Sequence, residues 1–147
     1  MKKKLFIYYS LSGNGDLVAD YLKHTYDIRK VVTKEPLPKN YILSLITGGF
    51  KAMINYHDKL DNFDNNIEDY NEIVIGSPIW NDRLSSPINT VLENINLKNK
   101  KVTFILYSGS GKANKAIKQL EKYNIKNIYV LKEPIKKPTE LNKIREV

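Results

Sequence analysis

The chain has 147 residues and no cysteine, and its 24 lysines and arginines against 16 acidic residues give a net charge of +8. This length is typical of one domain with a hydrophobic core of its own. The lack of cysteine excludes disulfides, thiolate nucleophiles and cysteine-ligated metal sites.

The positive charge does not by itself predict a nucleic-acid partner. It comes almost entirely from lysine, whereas proteins that read nucleic acids rely on arginine and on aromatic residues between basic ones. The N-terminal MKKK is followed by an apolar run too short for a signal peptide, and no run reaches the length of a membrane span. We therefore expect a soluble, cytoplasmic protein that binds neither nucleic acid nor membrane.

Residues 5–9, LFIYY, form an uninterrupted apolar run of strand length, which predicts a buried strand. The turn that follows, SLSGNG at residues 10–15, precedes a helical pattern over residues 16–24. A helix start presents unpaired backbone N–H groups and the positive end of the helix dipole, and the two serines and the asparagine of this turn add further donors. The first turn therefore suits a phosphate group.

Strand and helix patterns alternate along the rest of the chain, which predicts a doubly wound parallel sheet with right-handed crossovers. In the second predicted strand, residues 28–33, Val31 and Val32 are the clearest buried positions. The remaining predicted elements are strands at residues 72–75, 102–107 and 127–131, a helix that begins at Pro87, and helices at residues 113–123 and 139–147.

The segment over residues 41–55 is loosely helical. Its apolar residues form two clusters separated by Gly48-Gly49, and a glycine pair makes one continuous straight helix less favoured. We expect Phe50 and Tyr56 to pack in the core rather than to approach a ligand.

Two further turns follow the third and fourth predicted strands. In the second turn, GSPIWNDRLSSP at residues 76–87, Gly76 and Pro78 are expected to end the strand, and Trp80 lies where a flat ligand can stack rather than where a core tryptophan is expected. The third turn, SGSG at residues 108–111, allows a ligand to approach the backbone closely. Ligands of open parallel sheets bind at the carboxyl ends of the strands, at the point where the strand order reverses. All three turns should therefore meet on one rim.

These three turns resemble the loops of the flavodoxin family. SLSGNG is similar to the flavodoxin phosphate loop, T/S-x-T-G-N-T; GSPIW is similar to a G-x-P-x-W loop; and SGSG corresponds to a loop that is often T-x-G-G. The resemblance covers nearly the whole chain. It implies one flavodoxin-like α/β domain over residues 1–147, with a doubly wound five-stranded parallel sheet of order 2-1-3-4-5, helices on both faces and a short C-terminal helix. It also implies FMN as the cofactor.

The resemblance assigns each turn to a part of FMN. The first holds the phosphate, the second borders the isoalloxazine with Trp80 stacked beside it, and the third offers backbone N–H groups to the pyrimidine edge of the ring. It implies no catalytic residue and no metal ligand. The implied cofactor-binding residues are Ser10, Leu11, Ser12, Gly13, Asn14 and Gly15 in the first turn, Ser77, Pro78, Ile79, Trp80 and Asn81 in the second, and Ser108, Gly109, Ser110 and Gly111 in the third.

Three positions depart from the family pattern. Gly15 lacks the hydroxyl that flavodoxins commonly have there, and Asp16 adds a carboxylate that would repel a phosphate unless it points away. Asn81 replaces a common glycine whose peptide can turn toward the reduced flavin. The family is also usually acidic, so the basic charge of this chain predicts a less negative low-potential couple and a different set of partners.

The implied function is electron transfer by an FMN-binding, flavodoxin-like protein. Two alternatives stay open: a flavin-dependent NAD(P)H or quinone-type oxidoreductase, in which Arg83 or Lys112 meets the nucleotide phosphate, and a flavodoxin-like binding module that has lost FMN. The lysines along residues 112–122 suggest docking of an acidic redox partner. Since the C-terminal helix is short, part of one sheet face should stay bare, which favours a homodimer.

Overall fold

A parallel sheet forms the centre of the molecule in the computed structural model, which describes residues 4–147. Its strands are β1 (Lys4–Tyr8), β2 (Asp27–Lys30), β3 (Glu72–Trp80), β4 (Arg83–Leu84), β5 (Lys101–Ser108) and β6 (Asn127–Lys132). Five of them run parallel in the order β2-β1-β3-β5-β6, and the two-residue β4 pairs antiparallel with the end of β3. Counted in chain order, the five parallel strands have the predicted order 2-1-3-4-5, and this prediction is confirmed.

Helices cover both faces of the sheet, as predicted. Within residues 4–147 they are α1 (Asn14–Leu22), α2 (Tyr41–Met53), α3 (Ser86–Asn94), α4 (Asn114–Leu120) and a 3-10 helix (Pro138–Ile144). Val18 of α1 and Ile144 of the 3-10 helix belong to one core cluster, and Val91 of α3 and Leu120 of α4 belong to the other. No helix in this part of the chain is long and apolar enough to cross a membrane.

The position of β1 between two core clusters explains why its residues are apolar without alternation. Leu5 and Ile7 pack into one core cluster and Phe6 into the other, and all three side chains are fully buried. Successive residues of a strand point to opposite faces, so a strand covered on both faces needs an apolar residue at every position. The first turn follows directly after the carboxyl end of this strand.

The second strand is shorter than predicted. It ends at Lys30, and although Val31 is buried, Val32 is 51% exposed. The Val31 N–H still donates to the Tyr8 carbonyl, but the chain then leaves β1, and Thr33 forms an isolated antiparallel bridge with Leu60. The prediction that Val32 is buried is therefore wrong, because the chain has left the sheet before this residue.

The glycine pair does not interrupt the second helix, contrary to expectation. Helix α2 runs continuously through Gly48, and a Cβ atom built there would lie 3.1 Å from two ring carbons of Trp80. The glycine is explained by this close contact between helix and indole rather than by a helix break. Phe50 is 56% exposed and Tyr56 is 39% exposed, so the expectation that they pack in the core is wrong.

The C-terminal 3-10 helix is firmly attached to the sheet. Ile144 is fully buried, and the Glu140 carboxylate accepts a hydrogen bond of 2.6 Å from the Lys132 backbone N–H. Leu141 and Val147 pack against the same core cluster. The expectation of a partly bare sheet face is therefore wrong, and the homodimer needs a different argument.

Candidate functional site

The first turn gathers backbone donors around one hydroxyl. The Ser10 Oγ accepts hydrogen bonds from the backbone N–H groups of Gly13, at 3.2 Å, and Gly15, at 3.1 Å. Gly13 has φ of +97°, a conformation that glycine adopts at little cost. Helix α1 already begins at Asn14, so the last two residues of the turn belong to its first turn. Two N–H groups thus converge on the Ser10 hydroxyl at a helix start, the end of a helix that favours an anion.

Gly15 has a structural cause. A Cβ atom there would lie 2.5 Å from the Tyr107 hydroxyl oxygen, 2.7 Å from the Tyr8 ring and 2.9 Å from the Cβ of Ser10. Burial raises the pKa of Tyr107 well above its usual range, so the hydroxyl keeps its proton and donates a hydrogen bond to the Tyr9 carbonyl. A tyrosine hydroxyl therefore fills the space that a threonine at position 15 would need.

Asp16 is directed away from the turn. Its carboxylate accepts a hydrogen bond of 2.7 Å from the Tyr8 hydroxyl and pairs with the Lys30 ammonium at 2.8 Å. Burial alone would raise the pKa of Asp16, but the hydrogen bonds from Lys30 and Tyr8 outweigh burial and lower it. The carboxylate is thus held by β1 and β2, and its charge is compensated there rather than opposed to a phosphate.

The second turn is mostly part of the sheet. Strand β3 continues through Gly76 and Pro78 to Trp80, so the expectation that these two residues end the strand is wrong. Gly76 accepts a hydrogen bond from Tyr9, and because the bonding direction alternates along a strand, Pro78 faces the same side, beyond the end of β1. Its missing N–H therefore removes no ladder hydrogen bond.

Ser77 and Trp80 lie inside the protein. Ser77 is fully buried, and its Oγ is hydrogen-bonded to the Ser85 hydroxyl and backbone N–H, which fixes the hairpin to the start of α3. Trp80 is 7% exposed; its indole packs under Gly48 and contacts the Tyr9 ring edge-on at 5.7 Å. The expectation that Trp80 is not a core residue is wrong, because α2 covers it.

The Asn81-Asp82 pair forms the tip of the β3–β4 hairpin. Both residues have positive φ, 49° and 61°, as a two-residue hairpin turn of type I′ requires. Asp82 also reaches α4: its carbonyl accepts a hydrogen bond from Ala116 at 2.8 Å and its carboxylate one from Lys115 at 3.2 Å. Asp82 was not among the residues predicted for the site, although Asn-Asp beside a strand end is a recognisable signal for such a turn.

The third turn is open on its outer side. Ser108, the last residue of β5, is buried and donates from its hydroxyl to the Lys112 carbonyl at 2.6 Å. Gly111 has φ of +78°. At Gly109 no described atom beyond its chain neighbours lies within 4 Å of where a Cβ would be, so protein packing does not explain this glycine.

The second and third turns line one cleft of about 320 Å³, a volume within the range of small-molecule sites. Of the predicted residues, the structure brings Ile79, Ser108, Gly109 and Ser110 to this cleft, and it leaves Ser77, Pro78 and Trp80 buried beside it. The full lining consists of Ile79, Asp82, Ser108, Gly109, Ser110, Lys112 and Asn114.

A fourth segment, absent from the sequence analysis, connects the first and third turns. After β6, the backbone N–H of Glu133 donates to the Ser108 carbonyl at 3.2 Å, and that of Ile135 donates to the Asn14 side chain at 3.0 Å. A Cβ on Gly13 would lie 2.7 Å from the Ile135 side chain. The segment after β6 therefore borders the first turn. No local motif indicated this, because Asn14 and Ile135 are 121 residues apart.

The residues present fit a phosphate at one end and a flat ring at the other. At the first turn, two helix-start N–H groups converge on the Ser10 hydroxyl, and Asp16 is held elsewhere. At the third turn, the space over Gly109 and the adjoining cleft leave the backbone accessible.

Comparison with known proteins identifies the class. The family model described as Flavodoxin matches residues 3–134, so the chain belongs to the flavodoxin family. A solved structure from Bacteroides eggerthii is 23% identical with a TM-score of 0.77, covering 100% of this chain and 99% of that one. A solved structure from Bacteroides uniformis is 21% identical with a TM-score of 0.74, covering 89% of this chain and 90% of that one.

A third solved structure, a flavoprotein from Lactobacillus acidophilus in complex with FMN, is 22% identical with a TM-score of 0.68, covering 93% of this chain and 98% of that one. At these identities the structural matches show the shared flavodoxin-like fold. No curated protein matches the sequence.

Proposed function

We propose that this protein binds FMN non-covalently at the rim of the sheet and transfers electrons in the cytoplasm. One observation carries the proposal: a turn with converging backbone donors and an open cleft lie on the same rim, joined by the segment after β6. Membership of the flavodoxin family and the FMN complex of a structural neighbour support FMN as the cofactor. FMN, when bound, supplies the one- or two-electron chemistry.

At the phosphate end, the backbone N–H groups of Gly13 and Gly15 and the hydroxyls of Ser10 and Ser12 would hold the phosphate. N–H groups at a helix start favour an anion through both hydrogen bonding and the helix dipole. The phosphate end therefore supplies charge-dependent affinity.

At the ring end, the backbone of Gly109 and Ser110 would bind the polar edge of the ring, because no side chain covers the backbone at Gly109. Asp82 and Lys112 place one charge of each sign on the cleft. The cleft itself is thus less basic than the whole chain. A less negative low-potential couple remains a prediction from the net charge, and potentiometry of the FMN-loaded protein tests it.

Titration of the apoprotein with FMN and with riboflavin tests the proposal directly. We expect FMN to bind with a shift of its visible absorption and quenching of its fluorescence. Riboflavin, which lacks the phosphate, should bind far more weakly. An unchanged spectrum at saturating FMN would refute FMN binding and leave only the fold. Equal affinity for both flavins would show that the first turn does not bind the phosphate.

An NAD(P)H-dependent oxidoreductase is the second candidate, because the cleft beside the proposed ring is open and carries the Lys112 side chain on its lining. Arg83, the other suggested phosphate ligand, already donates to the Asn81 carbonyl at 3.1 Å. Steady NAD(P)H oxidation in the presence of a quinone identifies this activity. If no oxidation is observed, electron transfer without NAD(P)H is the function that stays proposed.

A binding module without FMN is less well supported. The two residues that suggested it, Gly15 and Asp16, have structural causes that leave the first turn accessible to a phosphate. The FMN titration decides between the two readings.

An acidic redox partner is proposed to dock on the lysines that follow the third turn. Lys112, Lys115, Lys118 and Lys122 are exposed, whereas Ala116 and Leu120 are buried. Electrostatic steering by such lysines raises association rates at low salt. Charge reversal at Lys115 and Lys118 should slow electron transfer to an acidic acceptor and weaken its salt dependence. Equal rates would exclude this surface.

A further inference from the structure

Helix α2 turns its large apolar side chains to solvent. Ile42 is 67% exposed, Ile46 63% and Phe50 56%. Elsewhere in the described part of the chain, exposed large apolar residues are scattered singly over other elements, which is normal for a protein surface. The outward residues, here called the α2 face, are Tyr41, Ile42, Leu43, Leu45, Ile46, Phe50, Met53 and Ile54.

The inward side of α2 accounts for this orientation. Its buried residues are Ser44, Gly48 and Ala52, which repeat every fourth position and so share one side of the helix. A Cβ atom on Gly48 would lie only 3.1 Å from two carbons of the Trp80 ring. Only small residues fit between the helix and the hairpin, and Ile42, Ile46, Phe50 and Met53 lie on the opposite side of the helix.

The α2 face has the size of a protein interface. Eight large side chains, each roughly half exposed, present on the order of 800 Å² of apolar surface. This equals what one partner contributes to a standard interface, and it exceeds the largest patch on a typical monomer.

The α2 face is also uncharged. Residues 41–50 contain no charged side chain, and Lys51 is turned inward and paired with the buried Asp58 at 2.8 Å. A two-fold axis places the same patch of each copy against the other, and an apolar, uncharged patch can face itself without repulsion. We propose that this protein forms a homodimer in which the α2 faces of two copies pack against each other.

A lipid surface fits the observations less well. A helix that lies on a membrane carries lysine or arginine along its polar side, near the lipid headgroups. The single lysine of α2, Lys51, is 19% exposed and bound to Asp58 instead. The net charge of +8 makes salt a test between the two partners. Added salt should strengthen a dimer, because it screens the repulsion between two basic copies, and should weaken binding to anionic lipid, because it screens the attraction.

The dimer is independent of FMN but adjoins the proposed ring site. Gly48 contacts Trp80, and a Cβ on Gly49 would lie 3.8 Å from the Cβ of Asn81. In the proposed dimer, the partner copy therefore covers the helix that packs on the β3–β4 hairpin. Association should be measurable without FMN, so failure of the dimer and failure of FMN binding are separate results.

Sedimentation velocity of the full chain, with and without FMN, tests the dimer. We expect a dimer that tightens as salt rises from 50 to about 500 mM. Ile46→Glu should weaken association roughly 30-fold or more. Val32→Glu is the matched control, because Val32 is 51% exposed outside the α2 face. Far-ultraviolet circular dichroism shows that both variants fold.

A cross-linking measurement keeps the test decisive if Ile46→Glu does not fold. The chain has no cysteine, so a flexible bis-maleimide that spans the interface should link Ile46→Cys into dimers and should leave Val32→Cys monomeric. A monomeric wild type at 100 μM in high salt, or equal cross-linking of the two variants, overturns the proposal. Salt-sensitive binding of a monomer to phosphatidylserine vesicles, lost in Ile46→Glu, assigns the face to lipid instead.

Discussion

The first turn and the β3–β4 hairpin lie on the same rim, but they are held in different ways. The first turn is held by hydrogen bonds to the Ser10 hydroxyl, which a ligand can replace. The hairpin is held inside the protein, since α2 covers the indole of Trp80 and the buried Ser77 is hydrogen-bonded to Ser85. The phosphate end of the proposed site is therefore accessible as it stands, whereas much of the predicted ring wall belongs to the core.

The largest effect is expected at the first turn. Gly15→Thr would overlap the Tyr107 hydroxyl and the Tyr8 ring, and overpacking of this kind costs about 1–3 kcal/mol. We expect that loss in urea unfolding, together with a large loss of FMN affinity as the turn is displaced. Gly15→Ala should also lose stability, and adding Tyr107→Phe, which removes the nearest clashing atom, should restore part of that loss. An unaffected Gly15→Thr protein would show that the turn is softer than its packing indicates.

The third turn should separate affinity from stability. Gly109→Val adds a side chain into open space, so the free energy of unfolding should change little. If the ring occupies that space, FMN affinity should fall roughly 30-fold, or about 2 kcal/mol. Ser110→Ala is the control for a change in the same turn that adds no bulk. Full FMN affinity in Gly109→Val would place the ring elsewhere on the rim.

The hairpin side is probed by two adjacent glycines. Gly48→Ala places a methyl group 3.1 Å from the Trp80 ring, whereas Gly49→Ala makes only an ordinary contact at 3.8 Å. Alanine is favoured over glycine inside a helix by about 0.5–1 kcal/mol. Gly49→Ala should therefore stabilise the protein and Gly48→Ala should not. Trp80 is the only tryptophan, so its fluorescence reports the displacement of α2, and equal stability of both variants would contradict the packing.

The smallest effect concerns Asp16. Its pKa is lowered in the folded protein, so its ionised form stabilises the fold above the unfolded pKa of about 3.9, and this stability is lost as pH falls through the folded pKa. The carboxylate is 46% exposed, so the contribution is about 0.5 kcal/mol or less after screening. Asp16→Asn should be slightly less stable than wild type at pH 7 and equally stable near pH 2. A difference in stability between the two proteins that grows as the pH falls would refute this role of Asp16.

The sequence predicted the sheet well because burial on both faces leaves a direct trace. Leu5 to Ile7 are apolar at every position because each residue meets one of two cores. The first and third turns were also predicted, since runs of serine and glycine after a buried strand have few other uses. The roles of these turns in binding remain predictions.

The errors come from contacts between distant residues. Apolar spacing in α2 showed a helix but not which side faces the protein, and the choice depends on Gly48 fitting under Trp80. Pro78 was expected to end a strand, but β1 stops before it and so requires no N–H there. The contact of Ile135 with Asn14 depends on the sheet bringing β6 and β1 to one rim.

Asp82 gives the proposed site a mechanical link to its surroundings. One residue at the hairpin tip accepts hydrogen bonds from two backbone N–H groups in the first turn of α4. The wall of the cleft is therefore hydrogen-bonded to the helix that carries Lys115 and Lys118. A protein that docks on these two lysines would bind a helix that is attached to the cleft wall through Asp82.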